Sequence, residues 1–127
     1  MQGPSHLVIS WFYAEASSLG QARDRRIVAW AGLAPDIDVV AYIAALVYYR
    51  LDKELAFENV WRVVHHRYTH GLAFVGLTGV VAYWLAGARG RRGSVRVAAL
   101  AMLASGIHNF LDVAAGGPTW PIYPLWP

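Results

Sequence analysis

Four short polar segments interrupt an otherwise apolar chain of 127 residues, and they hold all five of its histidines and three of its aspartates. Histidine and carboxylate side chains are the ligands that suit zinc and related divalent ions in a hydrolytic site. Enclosing such groups between apolar segments is costly unless they have a partner. The pattern therefore predicts a metal site, built from residues 5–6, 35–38, 65–70 and 108–112.

Two pairs of candidate ligands have a helical spacing. His66 and His70 are four residues apart, as are His108 and Asp112. On a helix this spacing places both side chains on one face, about 5–6 Å apart, where they can share one ion. Either pair alone is more often an ordinary polar pair, but two pairs in one apolar chain favour a metal.

The polar segment 35–38 carries two aspartates, and a purely structural role explains only one of them well. Asp36 and Asp38 could cap a helix, since aspartate favours first turns. Two carboxylates flanking Ile37 would repel each other unless a cation or an arginine lay between them, and one of them could bridge two metals about 3.5–4 Å apart. His6, at a helix start, completes the set. The predicted metal ligands are His6, Asp36, Asp38, His66, His70, His108 and Asp112.

Arg67 lies between two of these predicted ligands. It could pair with an aspartate, or it could hold a phosphoryl oxygen or the charge that develops in a transition state. We predict Asp36, Asp38 and Arg67 as catalytic groups, with an aspartate as bridging ligand or base. Thr69 could cap a helix or orient a ligand, whereas His65 has no spacing partner. The sequence has no phosphate-binding glycine loop and no serine-nucleophile elbow, so metal-activated water is the catalytic device that it offers.

The composition predicts a single membrane-associated domain over 1–127. Hydrophobic residues make up 57% of the chain and charged residues 15%, against about 25% charged in ordinary soluble domains. Without cysteine, any metal must be held by nitrogen and oxygen. The net charge of +3 does not require nucleic acid as a partner. The arginines cluster at 23–26 and 89–96, which is typical of loops that flank membrane segments, although a basic patch for phosphate or nucleic acid is an alternative.

The apolar runs predict helices, because they are too long for strands and show no alternation of period two. We expect an all-α, compact, membrane-embedded bundle with four main helices and one shorter interfacial segment. The segment 71–88 carries no charge and is long enough for a marginal transmembrane helix. The main helices are predicted at 6–18, 27–34, 71–88 and 95–115, and the interfacial segment at 50–62.

An up-and-down order of these helices brings every polar segment to one end of the bundle and both arginine clusters to the other. Because positive loops stay in the cytoplasm, we expect a multi-pass protein of the inner membrane. Its polar site would face the extracytoplasmic side.

The order of the motifs resembles a known family. The chain reads Ser-His at 5–6, Pro-Asp-Ile-Asp at 35–38, His-Arg-Tyr-Thr-His at 66–70 and His-Asn-Phe-Leu-Asp at 108–112, and a glycine-proline tail ends in Leu-Trp-Pro. This set resembles the inner-membrane metal-dependent hydrolases described as LexA-binding or LexA-regulated. It departs from them at Gly71 and Ile107, where the family usually has serine. A more distant similarity links it to the all-α zinc-dependent phospholipase C and related nucleases.

The resemblance implies one to three divalent ions, zinc being the expected metal, and hydrolysis of a phosphoester. We therefore expect a membrane-bound metal-dependent hydrolase whose partners are membrane lipid and a small-molecule or lipid-borne phosphoester. A non-catalytic metal carrier or sensor is the alternative, since intramembrane histidine and aspartate also line ion pathways. A bundle whose polar groups only pair with one another is the third possibility.

Overall fold

The protein is all-α in the part of the chain that the structure describes, as the sequence predicted. The structure, a computed structural model, describes residues 3–65, 67–87, 90–116 and 125, with the backbone alone at 3 and 91. The elements are α1 (Gly3–Ala16), α2 (Ala22–Ala31), a 3₁₀ helix (Ala34–Asp38), α3 (Val39–Tyr48), α4 (Lys53–Ala56), a π-helical turn (Phe57–Trp61), α5 (Arg62–Val64), α6 (Leu72–Ala86) and α7 (Gly90–Gly116). Of the predicted non-helical tail, only Gly116 and Leu125 are described.

Two arginine segments that we predicted as loops are helical. α2 begins at Ala22, where the backbone N–H groups of Asp24 and Arg25 donate to the carbonyl oxygen of Gln21. α7 begins at Gly90 and so includes residues 90–94 of the arginine-glycine segment predicted as a loop at 87–94. Arginine is a good helix former, and at a helix end its long side chain can reach solvent or a neighbouring carbonyl. The prediction was wrong because it ended the helices where the apolar residues ended.

Helices α1, α2, α6 and α7 form an antiparallel bundle with two distinct ends. At one end, Arg96 near the start of α7 donates a hydrogen bond of 2.8 Å to the carbonyl oxygen of Ser17, just after α1. Arg23 at the start of α2 donates to the carbonyl oxygen of Leu85 in the last turn of α6. The opposite ends of the same helices carry the histidines and aspartates described below. We call these the arginine end and the histidine end.

The buried and exposed positions are distributed as in a membrane bundle. The buried side chains of the core are mostly small, and two glycines allow close approach: a Cβ at Gly79 would overlap Met102, and one at Gly32 would overlap Ser10. Large apolar side chains point outward instead, including Phe12, Trp84 and Phe110. Small residues between helices are typical of packing in lipid. The buried core consists of Ala14, Leu19, Val28, Ala29, Ala31, Ala82, Ala86, Val97, Ala101 and Ala104.

The described residues contain one helix long and apolar enough to cross a membrane, Arg92–Gly116. A second candidate arises if Ala22–Ala31 and Ala34–Tyr48, which meet at a bend of 60°, act as one span. The span predicted over 71–88 is only the fifteen residues of α6, about 22 Å long against a hydrocarbon core of about 30 Å. It is shorter because Gly71 has an extended backbone before the helix and Gly87 follows its end.

The segment between α3 and α6 returns the chain to the histidine end. α3 ends in a turn in which Arg50 and Leu51 have positive φ angles of 54° and 69°. The carboxylate of Asp52 then caps α4 by accepting from the backbone N–H groups of Glu54 and Leu55. Helical structure continues to Val64. The predicted interfacial segment therefore forms a helical hairpin with α3, and His65, which follows the segment, contacts Asp38.

Candidate metal centre

The last turns of α7 present two polar side chains to the interior. His108 and Asp112 lie one helical turn apart, on the stripe that also buries Val97, Ala101 and Ala104. His108 Nε2 is 3.1 Å from Asp112 Oδ2, and both side chains are almost fully buried. The predicted i, i+4 pair is therefore a real contact in the histidine end.

Two other elements complete a compact group of four ligand atoms. The 3₁₀ helix supplies Asp36. It follows α2 because Pro35 has no N–H to donate to the carbonyl of Ala31 and its ring would crowd that carbonyl. The segment before α6 supplies His70. His108 Nε2 is 3.2 Å from His70 Nε2 and 3.6 Å from Asp36 Oδ1. His70 Nε2 is 3.5 Å from Asp112 Oδ2 and 4.0 Å from Asp36 Oδ1.

These separations fit one ion. In a tetrahedral site with metal–ligand distances of about 2.0–2.1 Å, the ligand atoms lie about 3.3–3.4 Å apart. The five separations given above run from 3.1 to 4.0 Å, and all four atoms lie within 4.8 Å of one another. Two imidazole nitrogens and two carboxylate oxygens are also a suitable donor set for zinc. The residues present therefore fit a divalent metal.

The partners of the two imidazoles fix which nitrogen carries the proton. His108 Nδ1 is 2.8 Å from the carbonyl oxygen of Gly32, which can only accept, so we assign the proton to Nδ1. The hydroxyl of Thr69 donates to Asp38 Oδ2 at 3.1 Å and lies 3.1 Å from His70 Nδ1, so it accepts from that nitrogen. Both Nε2 atoms are then left with lone pairs that face each other, an arrangement that a cation between them would stabilise.

The neutral form of His70 is favoured by its surroundings. The side chain is fully buried in the segment that precedes α6. Burial lowers the pKa of the His70 imidazole below its usual value, against the opposing effect of the Asp112 carboxylate. A neutral imidazole is the form that binds a metal.

His6 lies behind Asp112. Its Nε2 is 3.0 Å from Asp112 Oδ1, and its ring stacks on His108 with 3.7 Å between centroids. It is therefore placed to hold the second oxygen of Asp112, while Oδ2 faces His70 and His108. Its position as a direct ligand, as we predicted, stays a prediction.

Asp38 lies in an adjoining cluster. Its Oδ2 atom is 2.9 Å from His65 Nδ1 and 3.8 Å from His70 Nδ1. The His65 ring in turn stacks on Trp61, with 3.9 Å between centroids. Asp38, His65 and His70 form a second group with ligand atoms within 4.8 Å of one another. Asp38 thus contacts the back of His70, opposite the first group.

Sequence reasoning missed three contributors to this site. His65 was given no role because its partner is 27 residues away and no local spacing links them. Asn109 Nδ2 donates to the carbonyl oxygen of His70 at 2.9 Å, which ties the segment before α6 to α7. The carbonyl of Gly32 could not be recognised either, since a backbone acceptor has no signature in the sequence.

In the His-Arg-Tyr-Thr-His motif at 66–70, the described residues 67–70 are not helical. α5 ends at Val64 and α6 begins at Leu72, so residues 67–71 form a turn. The helical spacing that we considered for His66 and His70 therefore does not apply to 67–70, and His66 itself lies outside the described residues. Arg67 is half-buried, with its guanidinium 6.0 Å from the centre of the Tyr68 ring.

Comparison with known proteins gives a family for the chain. The model of the YdjM inner membrane protein family matches residues 1–127, the whole sequence. No curated protein matches the chain significantly, and no solved structure does. Because the match covers every residue, this chain is a member of the YdjM inner membrane protein family.

Proposed function

We propose that this protein is a membrane-bound, metal-dependent hydrolase with one divalent ion, zinc, held by Asp36, His70, His108 and Asp112. The observation that carries the proposal is the pair of Nε2 atoms of His70 and His108, 3.2 Å apart. Each imidazole is bound through its Nδ1, so both lone pairs face the same point. Two carboxylate oxygens converge on that point as well.

A zinc ion held there would supply the Lewis acidity and the activated water that hydrolysis requires. The other roles in the reaction would belong to side chains of the protein. Asp36 is the most accessible of the four, with 19% of its side chain exposed, while the other three are almost fully buried. Its Oδ2 atom has no hydrogen-bond partner among the described residues, and it would accept a proton during the reaction. Asp38, Thr69 and His65 would orient His70 from behind.

The substrate that we propose is a phosphoester carried by a membrane lipid or a small molecule. The proposal rests on the resemblance to the zinc-dependent phospholipase C fold and on the membrane location of the family. Arg67 would hold the substrate anion. The protein would cross the inner membrane more than once as one domain over 1–127, with the histidine end on the extracytoplasmic side.

A non-catalytic metal-binding role, as in a carrier or sensor, is the second candidate, and one observation favours a site that does not catalyse. His70, His108 and Asp112 are almost inaccessible. Structural zinc sites are closed, whereas catalytic sites keep an open position for water. A carrier would move zinc into vesicles and show no metal-dependent turnover.

The test uses the full chain purified in detergent without chelator. We expect stoichiometric zinc by elemental analysis and chelator-sensitive turnover of at least one member of a phosphoester panel. Asp112→Asn, which keeps the shape of the side chain, should lose both. Asp52→Asn, which removes a carboxylate from the exposed cap of α4, should lose neither.

Three outcomes would count against this proposal. Absence of stoichiometric metal would favour a bundle of mutually paired polar groups. Bound zinc that is transported without turnover would favour the carrier. Retention of metal and turnover by Asp112→Asn would show that the ligand set is wrong.

A further inference from the structure

An apolar groove runs along the outside of the bundle between α2 and α6. Its volume is about 640 Å³. Ile27 and Trp30 line it from α2, and Leu77 and Val81 line it from α6. It extends from the arginine end to Ile37 in the 3₁₀ helix, and it is separate from the four ligand atoms of the metal centre.

The walls of the groove suit hydrocarbon. Among the described residues, three polar side chains line it, and one of them, Thr78, donates its hydroxyl to the carbonyl oxygen of Val75 in its own helix. The other two are Arg23 and Arg26, both exposed at the arginine end. Along α6 the lining runs from Phe74 to Leu85, a rise of about 16 Å. One leaflet of the hydrocarbon core is about 15 Å thick, so the groove matches one acyl chain.

The positive charge at the arginine end of the groove suits a lipid with an anionic headgroup. Arg23 is held beside the end of α6 by its hydrogen bond to the carbonyl oxygen of Leu85. Arg26 follows it on the same exposed edge of α2. Guanidinium groups bind phosphate through charge-assisted hydrogen bonds, and cationic side chains at a membrane surface attract anionic lipids. At the other end, Ala34 and Ile37 offer no charge of their own.

We propose that this groove binds one anionic phospholipid, with an acyl chain between α2 and α6 and its phosphate at Arg23 and Arg26. The lipid belongs to the leaflet at the arginine end. This site is distinct from the proposed hydrolytic centre, and it would exist whether or not the protein is an enzyme.

The first test compares two lipids by native mass spectrometry of the full chain released from detergent micelles. Phosphatidylglycerol and phosphatidylcholine with identical acyl chains are added at equal concentration. We expect the wild type to retain phosphatidylglycerol preferentially, and Arg26→Gln to reduce that preference about fivefold. Arg92→Gln removes the same charge from an exposed position in α7 at the arginine end, outside the groove, and should leave the preference intact.

The second test fills the groove without changing charge. Val81→Trp places a large apolar side chain at an exposed lining position and should reduce the retention of both lipids. Val80→Trp makes the same change at an exposed neighbour that does not line the groove, and should have no such effect. Circular dichroism of both variants checks that the bundle is folded.

The following results would overturn the proposal. Equal retention of the two lipids by the wild type would show that the arginines select no headgroup. Equal effects of Arg26→Gln and Arg92→Gln, or of Val81→Trp and Val80→Trp, would mean that binding is not in this groove. A lipid-free dimer that Val81→Trp dissociates would identify a second copy of the chain as the occupant.

Discussion

Asp112 contacts three imidazoles with its two carboxylate oxygens. Oδ1 is 3.0 Å from His6, while Oδ2 is 3.1 Å from His108 and 3.5 Å from His70. With the protons of His70 and His108 on Nδ1, Oδ2 faces two further acceptors. A cation bound between these atoms would relieve the repulsion between them, and burial opposes a second proton on His70 by lowering the pKa of its imidazole. The geometry of these contacts is therefore compatible with a divalent ion between His70, His108 and Oδ2 of Asp112.

Asp38→Asn tests how the residues behind the ligands contribute. The carboxylate holds Thr69 and His65, and Thr69 orients His70. Residues that orient a ligand typically contribute about 10–100-fold to metal affinity. We expect zinc affinity, measured by competition with a chelating dye, to fall within that range while the metal-to-protein ratio stays at one.

The control for this substitution is Asp52→Asn, which should leave zinc affinity unchanged. Loss of the stoichiometric metal in Asp38→Asn would make Asp38 a ligand rather than a positioning residue. Unchanged affinity would mean that the contact with Thr69 is irrelevant to metal binding.

At the level of the helices, close packing of α1 on α2 sets the position of a metal ligand. Gly32 follows the last turn of α2 and lies against Ser10 of α1. Its carbonyl oxygen accepts the Nδ1 proton of His108. A small residue is therefore needed at position 32. It lets α1 and α2 approach closely, and that approach places the carbonyl oxygen that binds His108.

Gly32→Ala should disturb both the packing and the metal site. The added Cβ would overlap the side chain of Ser10, so α1 and α2 must separate. Overpacking of this kind costs about 1–3 kcal/mol, and we expect a lower Tm together with weaker zinc binding. Ser10→Gly removes the opposing side chain and should restore much of the Tm in the double variant.

The comparison for Gly32→Ala is Gly76→Ala in α6, where nothing lies within 4 Å of the added carbon. That variant should unfold at or above the wild-type Tm, since alanine favours the helix. If both alanine variants behave alike, the contact between Gly32 and Ser10 does not limit the packing of α1 on α2.

Local patterns in the sequence were enough for some of these elements. The pairing of His108 with Asp112 follows from helical spacing. A break near Pro35 was also predicted, although α2 ends at Ala31, three residues before the predicted end. The contact of His65 with Asp38 could not be predicted, because it depends on how the α3 hairpin folds back. The starts of α2 at Ala22 and of α7 at Gly90 were missed because arginine residues continue a helix beyond its apolar part.

At the scale of the whole molecule, the two ends of the bundle have opposite chemistry. The arginine end carries exposed Arg23, Arg26 and Arg92, while the histidine end buries imidazoles and carboxylates. α7 is long enough to connect them across a membrane. Since the family belongs to the inner membrane, the positive end predicts the orientation of the entire chain.

The absence of cysteine allows this orientation to be measured directly. Gln21→Cys places a thiol at an exposed position of the arginine end, just before α2, and Tyr68→Cys places one at an exposed position near His70. With a membrane-impermeant maleimide, we expect Tyr68→Cys to react in right-side-out vesicles and Gln21→Cys only in inverted ones. Both should react fully in detergent, which controls for accessibility.

The reverse pattern would place the histidine end in the cytoplasm. Labelling of both variants from one side would show that α1, α2, α6 and α7 do not separate the two ends across the bilayer.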